Sequence, residues 1–143
     1  EPRGGHREVQ VTEHRKMPDF AKEMKRIIEL PRYENATKIH IVLDNLNTHF
    51  EKSFQETFDA EETKRLMDRI TFHYTPRHAS WLNMAEIEIG ILDRCYLGKR
   101  VPNEVMLKKK AALCMDDRNT AQAMIQWRFT ITDARRKFKY TGS

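Results

Sequence analysis

The chain has 143 residues, of which 39% are hydrophobic and 33% charged, so we expect one domain with a lean core. No apolar run approaches the ~18 residues of a membrane span, so no membrane segment is expected. The first residues lack a signal-peptide core and an initiator Met, so we expect the chain to begin inside a larger protein. The formal net charge of +5 permits nucleic-acid binding but is weak evidence for it.

The first half of the chain predicts two strands separated by a helix. Val9 and Val11 alternate with polar neighbours, as in a half-exposed strand. Residues 18–30 carry an amphipathic helical stripe, which Pro31 ends. Residues 39–43 are β-branched and apolar with almost no alternation, which indicates a central strand covered on both faces.

Helices dominate the second half. Residues 51–69 predict one or two short helices, and residues 70–74 alternate as a strand. A helix from about 82 to 97 has a wide apolar surface and should be mostly buried. The remaining predicted elements are a helix over 103–118 with Asn103 as N-cap, a possible strand over 123–129 and a basic helix over 132–139. Strands separated by helices predict an α/β sheet with helices against its faces.

Asp44 directly follows the apolar strand 39–43. The carboxyl ends of central strands are where open α/β sheets place their active sites, and an acid fixed there can hold a metal ion. The alternative is that its carboxylate caps the following turn.

Two glutamates, Glu86 and Glu88, lie on the otherwise apolar helix over 82–97. A carboxylate on a buried helix face is costly unless it is paired or bound to metal. Either glutamate could be the functional one, and helical geometry does not choose between them. Gly90, beside Glu86, costs about 1 kcal/mol of helix propensity and leaves room for another backbone or a ligand.

None of the six histidines shows a zinc-site spacing. We interpret His40 and His73, inside strands, as structural. His49 and His78 lie in loops at strand ends, where a site role and a structural role are equally compatible with the sequence. Trp81 is expected to anchor the core rather than to stack on a base.

Basic side chains gather in three short clusters. Each cluster alone is compatible with a solvated helix face, but together they favour a polyanionic partner. The residues expected to contact DNA are Lys99, Arg100, Lys108, Lys109, Lys110, Arg135 and Arg136.

Two longer motifs resemble a known family. Residues 41–49, IVLDNLNTH, resemble the second-acid motif of DDE-type transposases from bacterial insertion sequences of the mariner-like superfamily. Residues 72–88, FHYTPRHASWLNMAEIE, resemble the third-acid motif of the same group, and the tail from Trp127 to Arg135 is also similar. The resemblance extends over nearly the whole chain.

The resemblance implies an RNase H-like α/β catalytic core with a mixed sheet flanked by helices. It makes Asp44 the second acid of the catalytic triad, Glu86 the third and Glu88 a neighbour. The residues expected to support these acids are Asn45, His49, Asn83 and Glu88.

There are two departures from the family pattern. The interval between Asp44 and Glu86 holds 41 residues, which is long for eukaryotic mariner relatives. The family's first Asp lies on an opening strand that we place upstream of residue 1, so the core is expected to be N-terminally truncated. With two of three metal ligands, we expect weak metal binding and no DNA cleavage by this chain alone.

The reaction that the resemblance implies is two-metal cleavage of transposon-end DNA followed by strand transfer, with Mg²⁺ or Mn²⁺. Partners would be transposon-end and target duplex DNA in the bacterial cytoplasm, and an exposed sheet edge favours a homodimer. Residues 1–143 would form the partial catalytic domain, with a basic extension from about 119.

The alternative is a protein without catalysis: a truncated or domesticated DNA-binding or interaction module that keeps the fold. A small-molecule α/β enzyme is less compatible with the sequence, which has no glycine-rich phosphate loop and no activated Ser or Cys motif.

Overall fold

The computed structural model describes residues 1–14, 16–44, 50–75, 84–98 and 100–138, with the backbone alone at Phe50 and Phe138. Within these ranges there are six α-helices and a small parallel sheet, consistent with an α/β fold. The elements are α1 (Met17–Ile28), a 3₁₀ turn (Pro31–Tyr33), β1 (Ile39–Leu43), α2 (Phe50–Thr57), α3 (Ala60–Met67), β2 (Ile70–Tyr74), α4 (Ala85–Ile91), a π-helix (Leu92–Leu97), α5 (Glu104–Thr120) and α6 (Ile131–Phe138).

The two described strands pair in parallel, with Ile39 opposite Ile70 and Leu43 opposite Tyr74. Parallel neighbours need a crossover, which α2 and α3 supply. The core lies on one face of this pair, where the buried residues are Ala21, Ile28, Phe54, Leu66 and Ile70. The predictions of a helix near 18–30, two short helices in 51–69 and strands at 39–43 and 70–74 are confirmed. The expected mixed sheet remains a prediction.

The prediction that β1 is covered on both faces is wrong for the described residues. Exposure alternates along the strand, and Val42 is 55% exposed. His40 is exposed on the same face, and its Nδ1 lies 2.8 Å from Nε2 of His73 on β2. A run of β-branched residues is compatible with one covered face or two, and only the packing of neighbouring elements decides between them.

The predicted strand at Val9 and Val11 is absent: this segment belongs to no helix or strand. Its neighbour Arg7 pairs instead with a side-chain amide, because Arg7 N donates to Asn119 Oδ1 and Asn119 Nδ2 donates to Arg7 O, each at 2.9 Å. One side chain of α5 thus satisfies both backbone hydrogen-bonding groups of Arg7.

The predicted helix over 82–97 is observed from Ala85, and residues 82–83 lie outside the described ranges. Its expected burial is wrong: no residue of α4 is buried, and Ile89 is 63% exposed. The helix continues directly into the π-helix, which ends at Gly98 with a φ of 69°. Gly98 supplies the left-handed conformation that side-chain-bearing residues rarely adopt.

The helix predicted from Asn103 is confirmed, with Asn103 Oδ1 accepting from Met106 N at 2.9 Å as the N-cap. The basic helix near the end is confirmed as α6. The possible strand over 123–129 is not formed, because backbone donors there go elsewhere: Ile125 N donates to Pro2 O at 2.9 Å. Among the described residues, no helix is long and apolar enough to cross a membrane.

Candidate active site

Asp44 lies at the carboxyl edge of the parallel pair. It follows β1 directly and is half-buried. The same edge is closed by Thr75, whose backbone N donates to Leu43 O at 2.9 Å, so Asp44 and Thr75 continue neighbouring strands. Asp44 forms no ion pair with any residue that the structure describes. Strand pairing therefore fixes the backbone next to Asp44, while no described basic side chain pairs with its carboxylate.

Thr75 was not recognised as a site residue from the sequence, where it marks only the end of a strand. It is 6% exposed, and its Oγ1 has no hydrogen-bond partner among the described residues. A buried hydroxyl without a partner costs about 1–3 kcal/mol. The Thr75 hydroxyl at this edge is therefore free to bind a ligand near Asp44.

The structure gives Glu86 and Glu88 different surroundings. Glu88 lies between two arginines: Nε and Nη2 of Arg7 donate to it at 3.0 and 3.3 Å, and Nε and Nη2 of Arg118 donate at 3.0 and 2.9 Å. Partial burial would raise the pKa of Glu88, but the hydrogen bonds from Arg118 and Arg7 outweigh this effect and place the pKa below its ordinary value. Glu88 is thus a charged group whose oxygens are already occupied.

Glu86 lies in the first turn of α4 and is exposed. It makes no ion pair with any described side chain, unlike Glu88 one half-turn further along. Of the two glutamates between which helical geometry did not choose, Glu86 is the one whose carboxylate has no partner among the described residues.

The N-terminal segment links the element that carries Glu88 to the sheet-bearing part of the molecule. Arg7 contacts α4 and α5 as described, and its side chain is only 8% exposed. The next residue, Glu8, pairs with Arg26 of α1 at 2.8 Å. Sequence reasoning missed Arg7 and Arg118, because 81 and 30 residues separate them from Glu88 and no local pattern marks the pairing.

Several predicted site residues cannot be placed. Asn45, His49 and Asn83 lie outside the described residues, as do His78, Trp81 and Lys99. Within the described ranges, no three side chains among His, Cys, Asp and Glu come close enough to hold one metal ion. The oxygen donors that are present, the carboxylates of Asp44 and Glu86, have the hard chemistry that Mg²⁺ and Mn²⁺ prefer.

Of the seven basic residues predicted to contact DNA, six are described, and three of these already bond to other groups of the protein. Lys110 is half-buried, and its Nζ donates to the carbonyls of Tyr96 and Leu97 at 2.7 and 3.2 Å, so it caps the π-helix. Lys108 and Arg136 each form an ion pair with a carboxylate on their own helix, Glu104 at 2.6 Å and Asp133 at 2.7 Å. The exposed members without an ion pair to a described residue are Arg100, Lys109 and Arg135.

Comparison with known proteins gives one match. The family model of DDE superfamily endonucleases matches residues 1–108 of the chain. No curated protein matches, and no solved structure matches.

Proposed function

Because the chain belongs to the DDE superfamily endonucleases, we propose that it is the catalytic part of a DNA transposase of the bacterial insertion-sequence, mariner-like type. Its activity would be metal-dependent cleavage of transposon-end phosphodiester bonds and strand transfer to target DNA. The family match, the α/β architecture and the two motifs at 41–49 and 72–88 support this proposal. An RNase H-like core is the fold that the same motifs imply.

The contrast among the acids carries the proposal. Glu88 is held by Arg7 and Arg118, whereas Asp44 and Glu86 have no cationic partner among the described residues. Carboxylates that bind metal must keep their oxygens free, whereas a carboxylate that is already paired serves the fold. This contrast supports Asp44 and Glu86 as the second and third acids and Glu88 as a structural neighbour.

Asp44 and Glu86 would hold Mg²⁺ or Mn²⁺, as the second and third acids of the triad that the resemblance implies. The bound metal would activate the attacking hydroxyl and stabilise the leaving oxygen of an in-line displacement. The chain's own contribution is positional. The pairing of β1 with β2 holds Asp44, and the ion pairs of Glu88 hold the helix that carries Glu86. Asn45, His49 and Asn83 are proposed supporting residues.

Paramagnetic broadening by Mn²⁺ tests the proposed metal site without requiring activity. We expect substoichiometric Mn²⁺ to broaden the backbone amide signals of Asp44 and Glu86, and each of Asp44→Asn and Glu86→Gln to abolish the effect at both positions. A matched control is Glu61→Gln, since Glu61 is also an exposed acid in the first turn of a helix. Broadening that persists in both site variants would reject the assignment.

A second candidate is a DNA-binding module without catalysis that keeps the same fold. It is favoured by one observation: Arg100, Lys109 and Arg135 are exposed and form no ion pair with a described residue, as a DNA-binding surface requires. This candidate predicts salt-dependent DNA binding that neither Mn²⁺ nor the two carboxylate substitutions alter. The transposase proposal predicts that Mn²⁺ strengthens DNA binding and that Asp44→Asn removes this effect.

We further propose transposon-end and target duplex DNA as partners, in the bacterial cytoplasm, and a homodimer as the assembly. The dimer is supported by the sheet, because neither outer edge of the β1–β2 pair is covered by another described strand. Light scattering that shows a monomer at high protein concentration would contradict it. The division into a catalytic domain with a basic extension from about residue 119 is likewise a proposal.

A further inference from the structure

Gly90 and Arg94 form a pair on the exposed side of the helix that carries Glu86. A Cβ atom built on Gly90 would lie 3.4 Å from Nη1, 3.6 Å from Nη2 and 3.7 Å from Cζ of Arg94. The guanidinium group therefore lies within van der Waals contact of the position that a Cβ atom on Gly90 would take. Neither Gly90 nor Arg94 has a role in the proposed chemistry so far.

The helical geometry directs Arg94 towards Glu86. Long side chains on helices point back towards the N-terminus, and residues four apart are neighbours on the surface. Glu86, Gly90 and Arg94 form such a row, which drifts around an ordinary α-helix by about 40° per step of four residues. Arg94 is the third residue of the π-helix, whose wider turn offsets this drift. The guanidinium and the Glu86 carboxylate thus share one exposed face.

Arg94 is also available electrostatically. It is exposed, and it forms no ion pair with any side chain in the described part of the chain, whereas Arg7 and Arg118 are both occupied by Glu88. It is the first basic residue after Glu86 in the sequence. An exposed planar guanidinium matches the two oxygens of a phosphodiester.

We propose that Arg94, lying over Gly90, binds a backbone phosphate of the DNA beside the Glu86 carboxylate. The inference rests on the proposed function, because it places DNA at this helix. Gly90 favours the site, because a Cβ alone would only touch the guanidinium, whereas a side chain that extends beyond Cβ would compete with it for the same space. A phosphate held there would fix the register of the strand without reading its sequence.

The test is duplex DNA binding measured by fluorescence anisotropy across a salt series, with EDTA present so that metal plays no part. Phosphate contacts carry no sequence information, so a labelled duplex of arbitrary sequence is sufficient. Arg94→Gln should weaken binding several-fold and lower the slope of log affinity against log salt by about 0.9, the value for one phosphate contact. The matched control is Arg3→Gln, which removes the same charge from another exposed arginine and should leave the slope unchanged.

Gly90→Leu tests whether the position of the Arg94 guanidinium matters when the net charge of the protein is unchanged. Leucine is a good helix former, so the helix should persist, while its side chain displaces the guanidinium and the net charge stays the same. We expect the loss of affinity seen in Arg94→Gln. An unchanged slope in Arg94→Gln, or an equal loss in Arg3→Gln, overturns the proposal. Wild-type affinity in Gly90→Leu overturns the role of Gly90. These results are independent of the Mn²⁺ experiment, so failure of the metal site and failure of the phosphate site are distinguishable.

Discussion

Replacing Glu88 by glutamine should destabilise the fold by about 2–3 kcal/mol. Four N–H groups from Arg7 and Arg118 converge on the Glu88 carboxylate at 2.9–3.3 Å. Glutamine keeps one acceptor oxygen, turns an amide donor towards a guanidinium and leaves both arginines without a counter-charge. Breaking a buried ion pair costs about 3–5 kcal/mol. Because the Glu88 side chain is 22% exposed, solvent screening lowers the expected cost to the range given.

Urea unfolding followed by circular dichroism measures this cost. The Glu88→Gln midpoint should fall by about 1 M, since the slope is about 1–3 kcal/mol per molar urea for small proteins. The double variant Glu88→Arg with Arg118→Glu again places one carboxylate among two guanidinium groups, so it should recover most of the loss. A cost under about 0.5 kcal/mol for Glu88→Gln would refute the reasoning, because the pair would then behave like an ordinary surface ion pair. Glu61→Gln serves as the exposed control.

Three other measurements follow from named contacts. Against the effect of partial burial, the hydrogen bonds from Arg118 and Arg7 place the pKa of Glu88 below its ordinary value of 4.5. The ionised carboxylate therefore stabilises the fold fully above that pH, and this stabilisation is lost as the pH falls through the lowered pKa. Unfolding free energies measured from neutral pH to about pH 3 should show the loss in the wild type and not in Glu88→Gln. Cys95 is exposed and Cys114 is buried with a raised pKa, so a thiol reagent should label one cysteine rapidly in the native protein and the second only on unfolding; rapid labelling of both would contradict the packing of α5. Gly5→Ala should lower the free energy of unfolding by more than about 1 kcal/mol in the same urea assay, because Gly5 has a φ of +63° and a Cβ would lie 2.5 Å from Gln122 O. An unchanged midpoint would contradict that close approach.

Much of the local structure was predictable from the sequence. The amphipathic stripe that became α1, the two apolar strands and the N-cap at Asn103 were all correctly identified, because each depends on residues close together in the chain. The two motifs around Asp44 and Glu86 were sufficient to indicate the family that the comparison then showed. These features reflect local periodicity and short-range chemistry, which a linear sequence carries directly.

Burial and pairing were decided only by the tertiary structure. Helical geometry left Glu86 and Glu88 equivalent, and only the family resemblance favoured Glu86. Arg7, which pairs with Glu88, lies 81 residues away along the chain. Val9 and Val11 alternate like a strand, yet they pair with no described strand, and the neighbouring backbone of Arg7 bonds to the Asn119 side chain instead. The apolar residues 39–43 suggested two covered faces, and Val42 is exposed. The sequence predicted most of the elements, though not the lack of strands at 9–11 and 123–129, and it identified the carboxylates that could act. Only the folded arrangement decides which of those groups is already paired, because ion pairs and burial depend on residues that approach one another in space.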